Sequence, residues 1–151
     1  MFRDKQMLTY DYIRGLITGE GCFTFCSVRH KEKGIVSNIP TFALGMNERD
    51  KILVEIVKES LGLRNRIYAY APRKRKDGYK RAGSVHLMVR DFGQLKNVIV
   101  PLCYKKLKGH KSIQFEEWIF AIESDPTVPK IYKLIPKIYK SGFYENIKKF
   151  D

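Results

Sequence analysis

The sequence predicts an α+β fold, ordered α-β-β-α-β-β-α, in which a four-stranded antiparallel sheet carries its helices on one face. Three observations predict it. Two pairs of short runs alternate apolar and polar residues with period two, and a polar loop joins the members of each pair. Each pair is followed by a stretch with apolar residues at helical spacing. A further stretch of that kind, from Leu8 to Gly19, precedes the first pair.

In that first stretch Tyr12, Ile13, Leu16 and Ile17 form the apolar stripe, with Thr9 or Asp11 available as N-cap. "CFTFCSVRH" and "IPTFALGM" then read as strands that turn Phe23, Phe25, Phe42 and Leu44 towards the helices, with "KEKGIVSN" as their hairpin loop. "NERDKILVEIVKESLG" reads as a helix capped by Asn47, apolar along Ile52, Leu53, Ile56, Val57 and Leu61, and stopped at Gly62. "RNRIYAY" and "SVHLMV" make the second strand pair, around the basic loop "APRKRKDGYKRAG" with its Asp77-Gly78 turn. Phe92, Leu95, Val98 and Ile99 predict a helix that ends before Pro101, and Phe115, Trp118, Ile119 and Ile122 a last long one. The chain is read as one domain, 1–151, with 124–151 as a C-terminal extension. The prolines of its repeated "PKIYK" argue against one continuous helix there.

With 151 residues, 44% of them hydrophobic, the chain can build one real core. Lys and Arg number 29 against 16 acidic residues, a net charge of +13 that predicts a polyanion-binding surface. The basic residues spread over several segments, unlike those of a membrane-surface helix, and no apolar run approaches the about 20 residues that span a bilayer. "MFRDKQMLTYDY" lacks the apolar core of a signal peptide, so the expected location is intracellular, with Cys22, Cys26 and Cys103 reduced. Cys22, Cys26 and His30 share a spacing of four, but on a strand that spacing covers about 13 Å, too far for one zinc ion.

The alternate positions Thr24, Cys26, Val28, His30, Thr41, Arg66, Tyr68, Tyr70, Ser84 and His86 are expected to line the bare face of the sheet. Their mixture of donors, acceptors and rings suits the edges of bases. The basic loop beside them, with Arg73, Arg75, Lys80 and Arg81 as its candidate contacts, reads as a phosphate clamp.

Gly15 and Gly19 are spaced i, i+4 on one helix face, and each costs about 1 kcal/mol relative to alanine. A face without Cβ atoms lets another helix approach closely, which offers compensation. Glu20 follows at the helix C-terminus, where the macrodipole disfavours an anion unless a cation lies near; with the Gly19 carbonyl it would form an oxygen-rich site suited to Mg²⁺.

The stretch "IRGLITGEG", Ile13 to Gly21, resembles the LAGLIDADG motif of homing endonucleases, with matching glycines at Gly15 and Gly21 and the acid at Glu20. It departs at Arg14, Thr18 and Gly19. The resemblance extends to the order of elements and to the basic charge. One motif without a second copy implies a homodimer of the single-motif type, joined through Ile13, Gly15, Leu16 and Gly19, that reads a long, roughly palindromic duplex. It further implies a staggered double-strand break made by metal-dependent hydrolysis, with Mg²⁺ or another divalent cation such as Mn²⁺ held at Glu20 and Gly19. Lys108 or Lys111 would supply the basic group, and Asn47 would stand near the water network, Met46 occupying the place where the family often has glutamine. An RNA-splicing maturase or a non-cleaving nucleic-acid binder of the same fold is the alternative, and a basic RNA-binding protein of another class stands behind it.

Overall fold

A computed structural model of the chain describes residues 7–151, apart from 33 and 75. Its sheet has four antiparallel strands: β1 (Gly21–Arg29), β2 (Val36–Asn47), β3 (Ile67–Tyr70) and β6 (Ser84–Val89), in the order β1-β2-β6-β3. Each strand pair is therefore a hairpin, and the two hairpins join through β2 and β6, where Leu44 stands opposite Leu87. Helix α1 (Tyr10–Glu20) precedes them, α2 (Lys51–Ser60) separates them, and α5 (Gly109–Ser124) follows. The order expected from the sequence is the observed one.

Strand alternation decides which residues enter the core. Phe23, Phe42, Leu44, Val85, Leu87 and Val89 share one face and are buried; Phe25, on the same face nearer the end of the hairpin, is half-buried. Helices α1 and α5 pack on β1, and α2 packs on β2 and β6. Phe23, Phe115 and Trp118 meet with ring centroids 5.0 to 6.2 Å apart, and the Trp118 indole N–H donates to the Thr24 carbonyl at 2.8 Å, fixing α5 to β1. Thr9 caps α1 by accepting from the Tyr12 N–H at 3.1 Å.

Two readings of the sequence need correction, those of α2 and of the helix before Pro101, and two, those of the basic loop and of the tail, gain detail. The buried stripe of α2 is Val54, Val57 and Leu61, and Ile52 is 40% exposed, because a 3₁₀ turn (Glu48–Asp50) capped by Asn47 delays and rotates the helix. The loop between β3 and β6 is not irregular throughout: Arg73–Lys74 (β4) and Lys80–Arg81 (β5) pair as a two-stranded ribbon. The helix predicted to stop before Pro101 runs through it, from α3 (Phe92–Gln94) by a π-helical turn (Leu95–Ile99) into α4 (Val100–Cys103). Proline has no N–H to give the preceding turn, and the π-helical turn, in which the Val100 N–H donates to the Leu95 carbonyl five residues back, already breaks the α-helical bonding register there. The first "PKIYK" is a 3₁₀ turn (Lys130–Lys133), whereas the second lies inside α6 (Leu134–Ser141), Pro136 being tolerated in its first turn.

The tail shares the core. Val128, Ile135, Tyr144 and Phe150 are buried in the same apolar cluster as Ile13 and Phe42. Arg14, the unexpected residue of the first helix, explains part of this. The residue is 6% exposed, and its guanidinium donates to the Leu102 carbonyl at 2.8 Å, to the Phe150 carbonyl, and to Asp11 at 2.8 Å. One cation thus ties α1 to the end of α4 and to the tail.

Candidate functional site

Helix α1 delivers Glu20 to the edge of the sheet. Gly21 begins β1 at once, its N–H still donating to the Ile17 carbonyl. A Cβ at residue 21 would stand 2.8 Å from that carbonyl oxygen, so only glycine allows helix and strand to meet without a connecting loop. Glu20 is exposed and makes no hydrogen bond or ion pair among the described residues. No basic residue lies in the last turn of α1. The positive charge comes from α5 instead: the Lys111 ammonium donates to the Gly21 carbonyl and, at 3.2 Å, to Gln114. A cation there complements the negative end of the helix dipole. Lys108, at the N-cap of α5, is exposed and does not make this contact. Geometry therefore separates two lysines that spacing leaves equivalent.

Glu20 opens onto a cleft of about 460 Å³ whose other walls include Asn47, Tyr70, Arg73, Arg81, Ser84 and His86. These come from α1, β2, β3, the ribbon and β6, which meet where the open face of the sheet reaches the end of the helix. His86 is held from three sides. Its Nε2 lies 2.9 Å from the Ser84 hydroxyl, its ring meets that of Tyr70 edge-on at 5.1 Å, and it lies over Gly45. A Cβ on residue 45 would stand 2.6 Å from His86 Nδ1. Gly45 belongs to the site for that reason, and a glycine inside an alternating strand is the signal for it. The Asn47 side-chain oxygen accepts from the Arg49 N–H at 3.0 Å, which keeps the residue at the rim as the cap of the following turn.

Other predicted residues lie apart from the cleft. Thr24, Cys26 and Val28 line the same sheet face along β1, and Tyr68 on β3 stands opposite His86 on β6 with the Arg66 guanidinium 5.4 Å from its ring centroid. His30 is exposed beyond the end of β1, 3.1 Å from the Ser37 hydroxyl. Thr41 is fully buried in the centre of the sheet, its hydroxyl donating to the Ile39 carbonyl at 2.9 Å, so it offers nothing to a ligand on that face. Ile13 is likewise fully buried: the three faces of a helix cannot all be free, and this one holds α1 to its own sheet. Gly15 and Gly19 are exposed, and a Cβ added at either would meet nothing within 4 Å. Leu16 beside them is half-buried. Lys80 is exposed on the ribbon, and Arg75 lies outside the described residues.

Hard oxygen donors, the Glu20 carboxylate and the peptide carbonyls at the end of α1, fit a divalent cation of the magnesium type. Among the described residues no three of His, Cys, Asp and Glu gather into a metal-holding group.

A model of the LAGLIDADG endonuclease family matches residues 13–122. None of the curated proteins compared with the chain matches it. Among solved structures, the fold is similar to that of the LAGLIDADG meganuclease I-CpaMI bound to uncleaved DNA (TM-score 0.63, 18% identity), over 96% of this chain and 45% of the other. It is similar also to the homing endonuclease I-TnaI (TM-score 0.59, 21% identity), over 93% of this chain and 99% of that one. The I-LtrWI LAGLIDADG homing endonuclease, bound to its target DNA, matches at TM-score 0.55 and 24% identity, over 88% of this chain and 43% of its own. The chain thus spans less than half the length of I-CpaMI and I-LtrWI and nearly all of I-TnaI.

Proposed function

Since the chain belongs to the LAGLIDADG endonuclease family, we propose that it is a homing endonuclease that acts as a homodimer on a long, roughly palindromic duplex, making a staggered double-strand break. The observation that carries this reading is the Glu20 carboxylate, without a partner among the described residues, opening onto a cleft walled by Arg73, Arg81 and His86. A carboxylate facing a basic cleft has no use in a protein that only binds phosphates, since it repels them.

Within the cleft each group has a part. Arg73 and Arg81, at the base of the ribbon, hold a phosphate strand and set its register. Tyr70, Ser84 and His86 face base edges in the major groove. A bound Mg²⁺ or Mn²⁺ supplies Lewis acidity and an activated water. Glu20 and the Gly19 carbonyl would hold such a cation, and Lys111, which donates to the Gly21 carbonyl, would bring positive charge beside the developing negative charge. Two strands require two such carboxylates, hence two copies of α1. The dimer reading is supported by the bare face at Gly15 and Gly19, where an added Cβ would meet no described residue within 4 Å.

Selection from a randomised duplex library with the purified chain and Mg²⁺ tests the proposal. The expected result is a palindromic consensus cut in both strands, with no cutting in EDTA. An asymmetric site, a single-strand nick or metal-independent cutting would overturn it. Gly15→Leu tests the assembly. Its side chain points into open space in the monomer, so each chain should still fold, while sedimentation velocity should show the dimer replaced by monomer and cleavage lost. A Gly15→Leu protein that remains dimeric and cuts normally removes the helix interface.

A further inference from the structure

The β1–β2 hairpin extends well beyond the rest of the sheet. Strand β6 ends at Val89, opposite Phe42, so β2 from Val36 to Thr41 pairs with β1 on one side and has no strand on the other. An unpaired edge of that length exposes backbone donors and leaves the hairpin free to twist. One segment of the chain covers it. After α5 ends at Ser124, the turn at 125–127 reaches the open edge, and the Asn38 N–H donates to the Thr127 carbonyl at 3.1 Å.

A chain of side-chain hydrogen bonds reinforces this contact. The Ser27 hydroxyl donates to Asn38 Oδ1 at 2.7 Å, and Asn38 Nδ2 donates to Asp125 Oδ2 at 3.0 Å. Asp125 Oδ1 accepts from the Thr127 N–H at 2.8 Å and from its hydroxyl at 2.6 Å. These bonds, that of the Thr127 hydroxyl first and that of Asn38 next, hold the Asp125 carboxyl below the usual carboxylate range. The Lys133 ammonium anchors the turn from behind, donating to the carbonyls of Ile122, Glu123 and Asp125 at 2.9, 3.1 and 2.8 Å. By strand alternation Ser27 and Asn38 lie on the helix side of the hairpin, so Cys26 and Val28 on the open side are supported from the back by this turn.

We propose that the 125–127 turn is a brace for the outer half of the β1–β2 hairpin, and that Asp125 is the positioning residue that sets how this half reads the base pairs farthest from the cut. The inference rests on the DNA reading above. It separates two functions in space: Glu20 cuts at one end of β1, and the Asp125–Asn38 pair holds the other end in register. Binding selection in EDTA on randomised duplexes, with the full chain, tests it. Asp125→Ala and Asn38→Ala should each flatten the preference at the outermost base pairs of each half-site by about fivefold. Preferences near the centre and the cleavage rate on the best site in Mg²⁺ should not change. The exchanged pair Asn38→Asp with Asp125→Asn, in which the amide donor and the carboxylate acceptor trade places across the same gap, should restore the outer preference. A uniform loss at all positions, single variants like the wild type, or an exchanged pair as poor as the single ones would each overturn the brace. A wild-type chain that enriches no duplex would overturn the DNA reading itself; the brace then fails or stands on amide hydrogen exchange over 26–30 and 36–39, which Asp125→Ala should accelerate and the exchanged pair should slow again.

Discussion

Glu20→Gln is expected to leave the folded protein and its duplex binding intact while lowering the cleavage rate by about a thousandfold or more. The substitution keeps the size of the side chain and removes only its charge. Because Glu20 is exposed and pairs with no described residue, no intrachain contact is lost, and the thermal midpoint should stay in place. Binding should tighten slightly if it changes at all, since a repulsive charge leaves the basic cleft walled by Arg73 and Arg81. Cutting should collapse, because an amide oxygen without net charge holds a divalent cation far more weakly than a carboxylate does. Single-turnover cleavage in Mg²⁺ and equilibrium binding in EDTA measure the two halves of this expectation. A Glu20→Gln protein that still cuts within about tenfold of the wild-type rate would remove Glu20 from the chemistry.

The second large effect concerns stability. Arg14→Ala is expected to cost about 3 kcal/mol, a fall in thermal midpoint of roughly 6–12 °C for a chain of this size. The guanidinium donates to two backbone carbonyls, of Leu102 and Phe150, from a position that is 6% exposed. Deleting it orphans both acceptors and opens a cavity among α1, α4 and the tail. The carboxylate of Asp11, on the solvent side, loses its partner at little cost because it is itself exposed. Arg14→Lys should fall between the two, since one ammonium cannot span both carbonyls with the geometry of the planar fork. The tail should also loosen, detected as faster exchange of amides around Phe150, whose ring meets that of Tyr10 at 5.0 Å. A loss below about 1 kcal/mol would mean that water replaces the guanidinium at both carbonyls.

Arg14 also marks a boundary in what residue patterns can tell. As a letter in the "IRGLITGEG" stretch it is only a departure from the motif, and the two carbonyls that hold it in the core lie 88 and 136 residues away. No local rule anticipates such contacts. The misplaced stripe of α2 has a similar cause: Ile52 and Leu53 fit a helical face in isolation, but the angle at which Asn47 and the 3₁₀ turn launch the helix decides which face meets β2 and β6. Thr41 has the right parity for the open face yet is fully covered, because burial in the middle of a sheet depends on the bulk of neighbouring strands. Lys108 and Lys111 differ by three positions and become distinguishable only when α5 has a fixed start and direction.

What residue order dictated was everything carried by short-range periodicity and local chemistry. The alternation of the strands, the caps at Thr9 and Asn47, the glycines of the first helix, the basic excess and the acid at Glu20 are properties of a few neighbouring residues, and backbone sterics convert them into elements without help from afar. The cleft is of another kind. Glu20, Tyr70, Arg73, Arg81 and His86 converge only because β6 inserts between β2 and β3, and the Asp125 turn reaches the hairpin only because α5, which it ends, packs along β1. Such meetings are set by packing of apolar faces across the whole chain, a global condition that no window of sequence contains.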